Sequence, residues 1–462
     1  MASLPEVLRV QPLQSVEQME VRSTTLRPIT CDQKHAVWAL EREGILDQGS
    51  QLVLAVTVPS NGDFFFPIQT GVRSMIKNAR IDVGGVTLTS TSDFAHISTA
   101  RRLFQMTPQD RALKDSIATG CSGDRFAENN TDHLLGLRDM VYSDGSTSAV
   151  PAALKPTTSD TTTPLFTLKL SDLFPALRNR QLPLAYLPQA YLRLEWNQQP
   201  NTTTALGTIC CGVDGTTKGA VDISTVNISF QSDILFYSSK VMAEVARQVA
   251  SENGLQSVIE DEILTLCAVP AVADPTAGTH APNPITKDLA LSGRTVRSIV
   301  VCDNQSSHPL LGPYSSQANR VGETLNIVVN DSHLYSKPLD SPSKIAREAG
   351  FAMGHPPQMP NALYSMDTAS PKSGAAIVSN FSAATVEGLA TALDGQQHIA
   401  GFDLTKDPVN HMYAGTTFGS KPARFEKTYN VSNGEHLART CRVYANVERL
   451  FTIKGGVVEM SQ

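Results

Sequence analysis

The stretch that decides the fold runs Ile76-Lys-Asn-Ala-Arg-Ile-Asp-Val-Gly-Gly-Val-Thr-Leu88. Ala79, Ile81 and Val83 alternate with Arg80 and Asp82, and Val86 and Leu88 resume the pattern after Gly84-Gly85. Successive side chains of a strand point to opposite faces, so this alternation marks a strand with one buried face. Two adjacent glycines supply the positive φ angles of a two-residue hairpin turn. The same period extends outward in both directions. Leu52, Leu54, Val56 and Val58 share one face, as do Phe166, Leu168 and Leu170, then Leu192, Leu194 and Trp196, then Val226, Ile228 and Phe230. In the second half Ile299 with Val301, Leu325 with Ile327 and Val329, and Val443 with Ala445 and Val447 repeat it. Phe451 and Ile453 lead through Gly455-Gly456 into Val457–Met460, a second Gly-Gly hairpin. Strand runs separated by Pro-, Gly- and Asn-rich stretches predict an all-β chain of sandwiches.

Three segments read as helix. Ser92-Asp93 is placed to cap the first, in which Phe94, Ile97, Ala100 and Phe104 fall at helical spacing before Pro108. Val241, Val245 and Val249 stripe a second from Lys240 to about Ser251, with Ser238 or Ser239 at its start and Asn253-Gly254 at its stop. A third spans Ser343–Ala349. Thr107–Thr163 is a loop of about 57 residues, far beyond the roughly 15 usual in a compact domain. Asp274–Asn283 and Gly354–Ser373 are similar excursions. Asn78–Met106 and Thr324–Met353 both read strand, polar turn, helix, a topological echo between the halves. The expected organisation is an N-terminal arm over residues 1–19, a first β domain over 20–240, a linker helix over 241–255 and a second β domain over 256–462.

Composition limits the function. The 462 residues fit three average domains or two large β domains of roughly 200–250 residues. Net charge is −6, which argues against wrapping nucleic acid by charge alone. Charged residues make up 18%, against about 25% in average domains, as expected where much surface meets other protein and equally in a Thr/Ser-rich β protein. No apolar run approaches the roughly 20 residues of a membrane span. The segment from Met1 to Gln18 carries Glu6, Arg9 and Glu17 and lacks the apolar core of a secretory signal. The expected compartment is therefore reducing, with the seven cysteines (31, 121, 210, 211, 267, 302 and 441) as thiols.

No motif carries chemistry. H-E-x-x-H, C-x-x-C and EF-hand patterns are absent, and the ten histidines, His133 and His411 among them, stand singly. There is no G-x-G-x-x-G, Walker loop or G-x-S-x-G elbow. Thr119-Gly-Cys-Ser-Gly123 lacks the elbow spacing, and Cys210-Cys211 reads as two ordinary thiols. Glu260-Asp261-Glu262 reads as a sheet edge or solvated face. Arg101-Arg102, Arg178 and Arg180 read as partners of interface carboxylates rather than as nucleic-acid contacts. The expectation is no catalytic, cofactor-binding or metal residue, and no cofactor.

Three stretches together resemble a known family. They are Phe66-Pro-Ile-Gln-Thr-Gly-Val-Arg-Ser-Met-Ile-Lys-Asn-Ala-Arg-Ile-Asp-Val-Gly-Gly85 leading into Asp93–Met106, Leu170-Ser-Asp-Leu-Phe-Pro-Ala-Leu-Arg-Asn-Arg-Gln-Leu-Pro-Leu184 before Tyr191–Trp196, and Tyr444-Ala-Asn-Val-Glu-Arg-Leu-Phe-Thr-Ile-Lys-Gly-Gly-Val-Val-Glu459. In this order they look like the double jelly-roll major capsid protein of polinton-like viruses and virophages. The likeness runs from about residue 20 to the end and is weak over Ala250–Pro422. It implies two consecutive eight-stranded jelly rolls with a few short helices and long loops. It also implies a virion structural protein: a homotrimeric, pseudo-hexameric capsomer that tiles an icosahedral capsid. No enzyme activity is implied. The implied partners are neighbouring capsomers, penton and minor capsid proteins, with host-surface glycans as a further partner of tower loops at Thr107–Thr163 and Gly354–Ser373. No sequence-specific nucleic-acid contact is implied. The location implied is the capsid shell, assembled inside the host cell without a signal peptide.

The competing reading is a tandem β-sandwich that binds or cleaves carbohydrate. Such an enzyme needs two carboxylates about 5–10 Å apart and usually aromatic platforms. The chain has only two Trp, Trp38 and Trp196, and Trp196 alternates with core positions.

Overall fold

Two main sheets of the first half use eight strands, of which the last six hold the alternating runs: β1 Glu20–Leu26, β2 His35–Ala39, β3 Gln51–Val56, β4 Ile76–Val83, β5 Val86–Thr91, β6 Leu165–Lys169, β7 Ala190–Trp196 and β8 Val226–Phe236. The structure is a computed structural model that describes residues 20–56, 63–67, 70–106, 115–119, 134–136, 163, 165–178, 180–197, 210–212, 218–219, 226–269, 282–305, 324–340, 342–354, 398–405, 415–419, 423–430 and 439–461. The strands form two antiparallel sheets ordered β1-β8-β3-β6 and β2-β7-β4-β5.

The second half supplies β9 Leu255–Val269, β10 Pro282–Leu289, β11 Thr295–Gln305, β12 Thr324–Val329, β13 Ser332–His333, β14 His398–Asp403, β15 Ala423–Asn430 and β16 Arg439–Lys454. Their sheets run β9-β16-β11-β14 and β10-β15-β12-β13. Each label is that of the first half plus eight, so the chain is two consecutive eight-stranded jelly rolls. A last strand, β17 Val457–Ser461, pairs with β16 across Gly455-Gly456. The turn glycines adopt the positive φ that both hairpins need: 58° and 88° at Gly84-Gly85, 57° and 80° at Gly455-Gly456.

Helix α1 Phe94–Gln105 follows β5, α2 Ser239–Ala250 joins the rolls, and α3 Pro342–Ala352 follows β13. Thus α1 and α3 occupy equivalent places, which is the echo read between the halves. Asp93 precedes α1 in the left-handed region at φ 48°, and its side chain makes no capping bond. The expected cap fails because that carboxylate is drawn away to Arg442. Ser238 likewise precedes α2 without a side-chain cap, and Gly254, at φ 66°, follows its end. Leu170 starts a helical turn, Leu170–Leu173, instead of continuing β6.

The strands reverse direction in turn, so the connections β1–β2, β3–β4, β5–β6 and β7–β8 leave one end of the first roll. Three of them contribute to a further small sheet there: Asp63–Pro67, Leu134–Gly136, and Cys210–Gly212 with Lys218–Gly219. The loop expected over Thr107–Thr163 therefore holds a strand, and also a helical turn at Ser116–Thr119. Pro282 and Asn283, expected in a loop, begin β10. Residues 1–19, 107–114, 120–133 (with Cys121 and His133), 137–162 and 355–373, and His411, lie outside the described residues.

Most of the alternating apolar residues are buried, although Val86 is only partly covered and Val58 lies outside the described residues. Trp38, Leu54, Ile81, Leu192 and Phe230 lie in the first core, and Val301, Ile327, Phe402, Phe425 and Val443 in the second. The first core is completed by residues of the second roll's sheet: Leu255 and Ile259 of β9, Phe451 and Ile453 of β16, and Val458 of β17. Strands β9 and β16 have 15 and 16 residues, roughly 50 Å at the usual rise, longer than one sandwich requires. Their odd-numbered side chains share one face. Cys267, Val269, Cys441, Val443, Ala445 and Val447 meet the second core, and the far ends meet the first. Among the described residues, no helix is long and apolar enough to cross a membrane.

Candidate functional site

The most elaborated chemistry lies where the rolls meet. On the outer face of the β9-β16-β11-β14 sheet, Ile97, Ala100 and Phe104 of α1 pack with Ala349 and Ala352 of α3 and with Met353 just after it. Val300 and Cys302 of β11, Ile399 of β14 and Tyr444 of β16 complete this third apolar cluster. Gly401 lets α3 lie against β14, since a Cβ there would stand 2.6 Å from the Ala349 Cα. In β11 and β16 these are even-numbered residues whose odd-numbered neighbours fill the second core, and in β14 the parity is reversed, with Ile399 outside and Ala400 and Phe402 inside, so the sheet is covered on both sides. That demands apolar residues on both faces, as in Val300-Val301.

Ion pairs frame the cluster. Arg101 Nη2 donates to Glu262 Oε1 at 2.7 Å, with side chains 8% and 1% exposed. Arg442 Nε donates to Asp93 Oδ2 at 2.8 Å, and the Tyr444 hydroxyl donates to the Asp93 carbonyl at 3.1 Å. Where β9 and β16 pass from one core to the other, Arg449 Nη1 donates to Asp261 Oδ2 at 2.7 Å. The other Asp261 oxygen accepts from the Ser90 amide of β5 at 3.2 Å. Arg297 pairs with Glu260 and lies 3.6 Å from Glu448, and Arg180 donates to Ser257 Oγ at 2.8 Å.

Glu260-Asp261-Glu262 therefore corrects the expectation of a solvated face. Strand β9 is the edge of its sheet, but the first roll covers it, and Asp261 and Glu262 are buried. Burial pushes the Glu262 carboxyl above its ordinary range, outweighing Arg101 and Arg178. Burial, then repulsion from Arg101, lowers the Arg178 guanidinium to about 10. Arg101 and Arg102 do pair with carboxylates. Arg102 Nε meets Asp115 Oδ2 at 2.5 Å, and Arg73 grips both Asp115 oxygens at 2.5 and 3.1 Å. For Asp115, burial raises the carboxyl, but Arg73 and Arg102 outweigh it and hold it below its ordinary range.

The named junction carboxylates each face an arginine, so this arrangement fastens two domains. It offers no carboxylate pair flanking an open cleft. Trp38 and Trp196 are both buried, leaving neither to stack on a sugar. Among the described residues, no group of three or more His, Cys, Asp or Glu is placed to hold a metal ion. Sequence reasoning missed the partner identities. The available signal was an acidic run on an alternating strand, facing arginines on a helix whose apolar stripe also needed a cover.

No family model and no curated protein matches the chain by sequence. Solved structures do match by shape. A chain of the PBCV-1 virus capsid superposes with a TM-score of 0.54 at 11% identity, over 96% of this chain and 97% of that one. The Faustovirus major capsid protein gives 0.53 at 9% identity, over 95% and 91%. A chain of the Sputnik virophage gives 0.50 at 11%, over 96% and 88%.

The chain has the double jelly-roll fold of these solved structures. At such identities the likeness is one of backbone architecture, carried by the doubled strand order. Within the double jelly roll, β9 and β16 make the two sandwiches one body, and α1 and α3 seal the outer face between them. In the second roll the connections β9–β10, β11–β12, β13–β14 and β15–β16, residues 270–281, 306–323, 334–397 and 431–438, are the counterparts of β1–β2, β3–β4, β5–β6 and β7–β8 in the first.

Proposed function

We propose that the protein is the major capsid protein of an icosahedral virion, acting as a homotrimeric, pseudo-hexameric capsomer. The observation that carries this reading is two rolls of identical strand order fused through a shared sheet, matched over nearly whole chains by solved capsid structures. Three such chains place six near-equivalent sandwiches around an axis, a block suited to a hexagonal lattice that closes with symmetry. The domain division is 1–19 as arm, 20–240 and 256–462 as the two rolls, and 241–255 as linker. Thr107–Thr163 and Gly354–Ser373 lie in the equivalent connections β5–β6 and β13–β14 and form the outward towers, where host-surface glycans bind. Arm and sandwich sides contact neighbouring capsomers, penton and minor capsid proteins. Assembly takes place inside the host cell.

Light scattering after size exclusion in reducing buffer tests this. The expected mass is three times 49.7 kDa, about 149 kDa, and it persists on dilution. A monomer at every concentration sinks the proposal and favours the carbohydrate-binding alternative.

A further inference from the structure

We propose that Cys267 and Cys441 form a reversible cross-strand disulfide, a redox lock on the second roll's edge strand. The two residues are direct partners in the β9–β16 ladder, so their side chains leave the sheet on the same face. Both are buried in the second core, and both are thiols in this structure. Directly opposed residues of an antiparallel pair have Cα atoms about 4.5 or 5.5 Å apart, and both spacings lie within the range that disulfides span. The remaining nearby thiol, Cys302 on the adjacent strand β11, belongs to the cluster on the opposite face of the sheet. Register and facing therefore select one pairing.

Position in the ladder supplies access. Val269↔Arg439 is the terminal pair, Ala268↔Thr440 the next and Cys267↔Cys441 the third. Among the described residues β9 pairs with β16 alone and is the edge of its sheet, so this end opens by local fraying without disturbing the β16–β11 ladder. The oxidant is a small-molecule disulfide such as oxidised glutathione. The Cys267 thiolate attacks one sulfur, forming a mixed disulfide and releasing one thiol. The Cys441 thiolate then attacks the Cys267 sulfur, forming the protein disulfide and releasing the second thiol. The protein loses two protons and two electrons, and the small disulfide gains them. The bond fastens β9 to the strand that also reaches the first core, so it tightens both rolls. Nothing in this chemistry depends on the capsid reading, and the lock stands or falls on the isolated protein.

The test oxidises the reduced full-length protein with glutathione disulfide, then alkylates it and maps its peptides without reductant. The expected result is a peptide pair joined through Cys267 and Cys441, about 2 Da lighter than its two thiol forms. Dithiothreitol reverses the link. The oxidised protein has a thermal midpoint roughly 5 °C or more above the reduced form, because the bond closes a long loop. Cys302→Ser keeps both effects, and Cys267→Ser loses both. Cys31, which is exposed, reports whether the oxidant is active. Alkylation of both Cys267 and Cys441 after Cys31 has been modified overturns the proposal, as does a link from Cys302 to either one. The wild-type map decides the matter even where a variant folds poorly.

Discussion

Arg101→Met is expected to destabilise the protein by about 3–5 kcal/mol at neutral pH, the cost of stripping one partner from a buried ion pair. Burial sets this scale. An exposed pair contributes about 0.2–1 kcal/mol, but these side chains are only 8% and 1% exposed. Among the described residues Glu262 Oε2 lacks a hydrogen-bond partner, so removing Arg101 takes away the bond that Oε1 accepts and leaves Arg178 as the other cation acting on it. Methionine retains much of the stem packing, so the loss is chiefly electrostatic. The pH dependence has a definite sign. Glu262 titrates higher in the folded protein than in the unfolded chain. Its contribution is therefore full below the unfolded value, about 4.3, and is lost as pH rises through the folded value. Deleting Arg101 raises the folded value further, so the deficit is largest at about pH 8 and shrinks toward about pH 5. The double variant with Glu262→Met removes both charges and should return to within about 1 kcal/mol of wild type, or above it. Urea unfolding followed by circular dichroism at the two pH values reads all three proteins. A loss under about 0.5 kcal/mol at the higher pH, the range of ordinary surface substitutions, refutes the reasoning. So does a double variant as unstable as the single.

Phe425→Ala, deep in the second core, should cost about 3–5 kcal/mol. Because the rolls share strands, it should move the tryptophan-fluorescence midpoint as far as the circular-dichroism midpoint, although Trp38 and Trp196 both lie in the first core. An unmoved fluorescence midpoint would show two independent units. Gly254→Ala should destabilise more than Gly85→Ala in thermal unfolding. Both have positive φ, but a Cβ on Gly254 would stand 2.6 Å from the Ile453 carbonyl oxygen, whereas Gly85 has open space. Asp115→Asn should speed proteolytic cleavage within 107–163 at neutral pH, by releasing Arg73 and Arg102 from the start of that connection. Because Asp115 titrates below its ordinary value when folded, its contribution is present above about pH 4 and is lost as pH falls through the folded value. Equal cleavage rates at neutral pH would count against the anchor.

Local chemistry was legible. The alternation at Ala79–Val83 and Leu192–Trp196, the two Gly-Gly turns, and the helical stripe Phe94, Ile97, Ala100, Phe104 depend on residues a few positions apart, and the structure places each as read. Short strands without clean alternation, such as β13 and β14, left no such mark. The junction was not legible. Alternation shows that β9 and β16 have two faces, yet it cannot say that one face serves two cores or that α1 covers the other.

The sequence by itself determined the strands that alternate cleanly, such as Ala79–Val83 and Leu192–Trp196, the Gly84-Gly85 and Gly455-Gly456 turns, and the all-β class, because backbone geometry and side-chain period act over a few residues. Only the tertiary structure decided that Glu262 meets Arg101 across 161 residues, that Asp93 serves Arg442 instead of capping α1, and that Ile453 belongs to the other roll's core. Those outcomes depend on which distant surface excludes water from each side chain. Burial turned an acidic run that reads as solvated into the fastening between two jelly rolls.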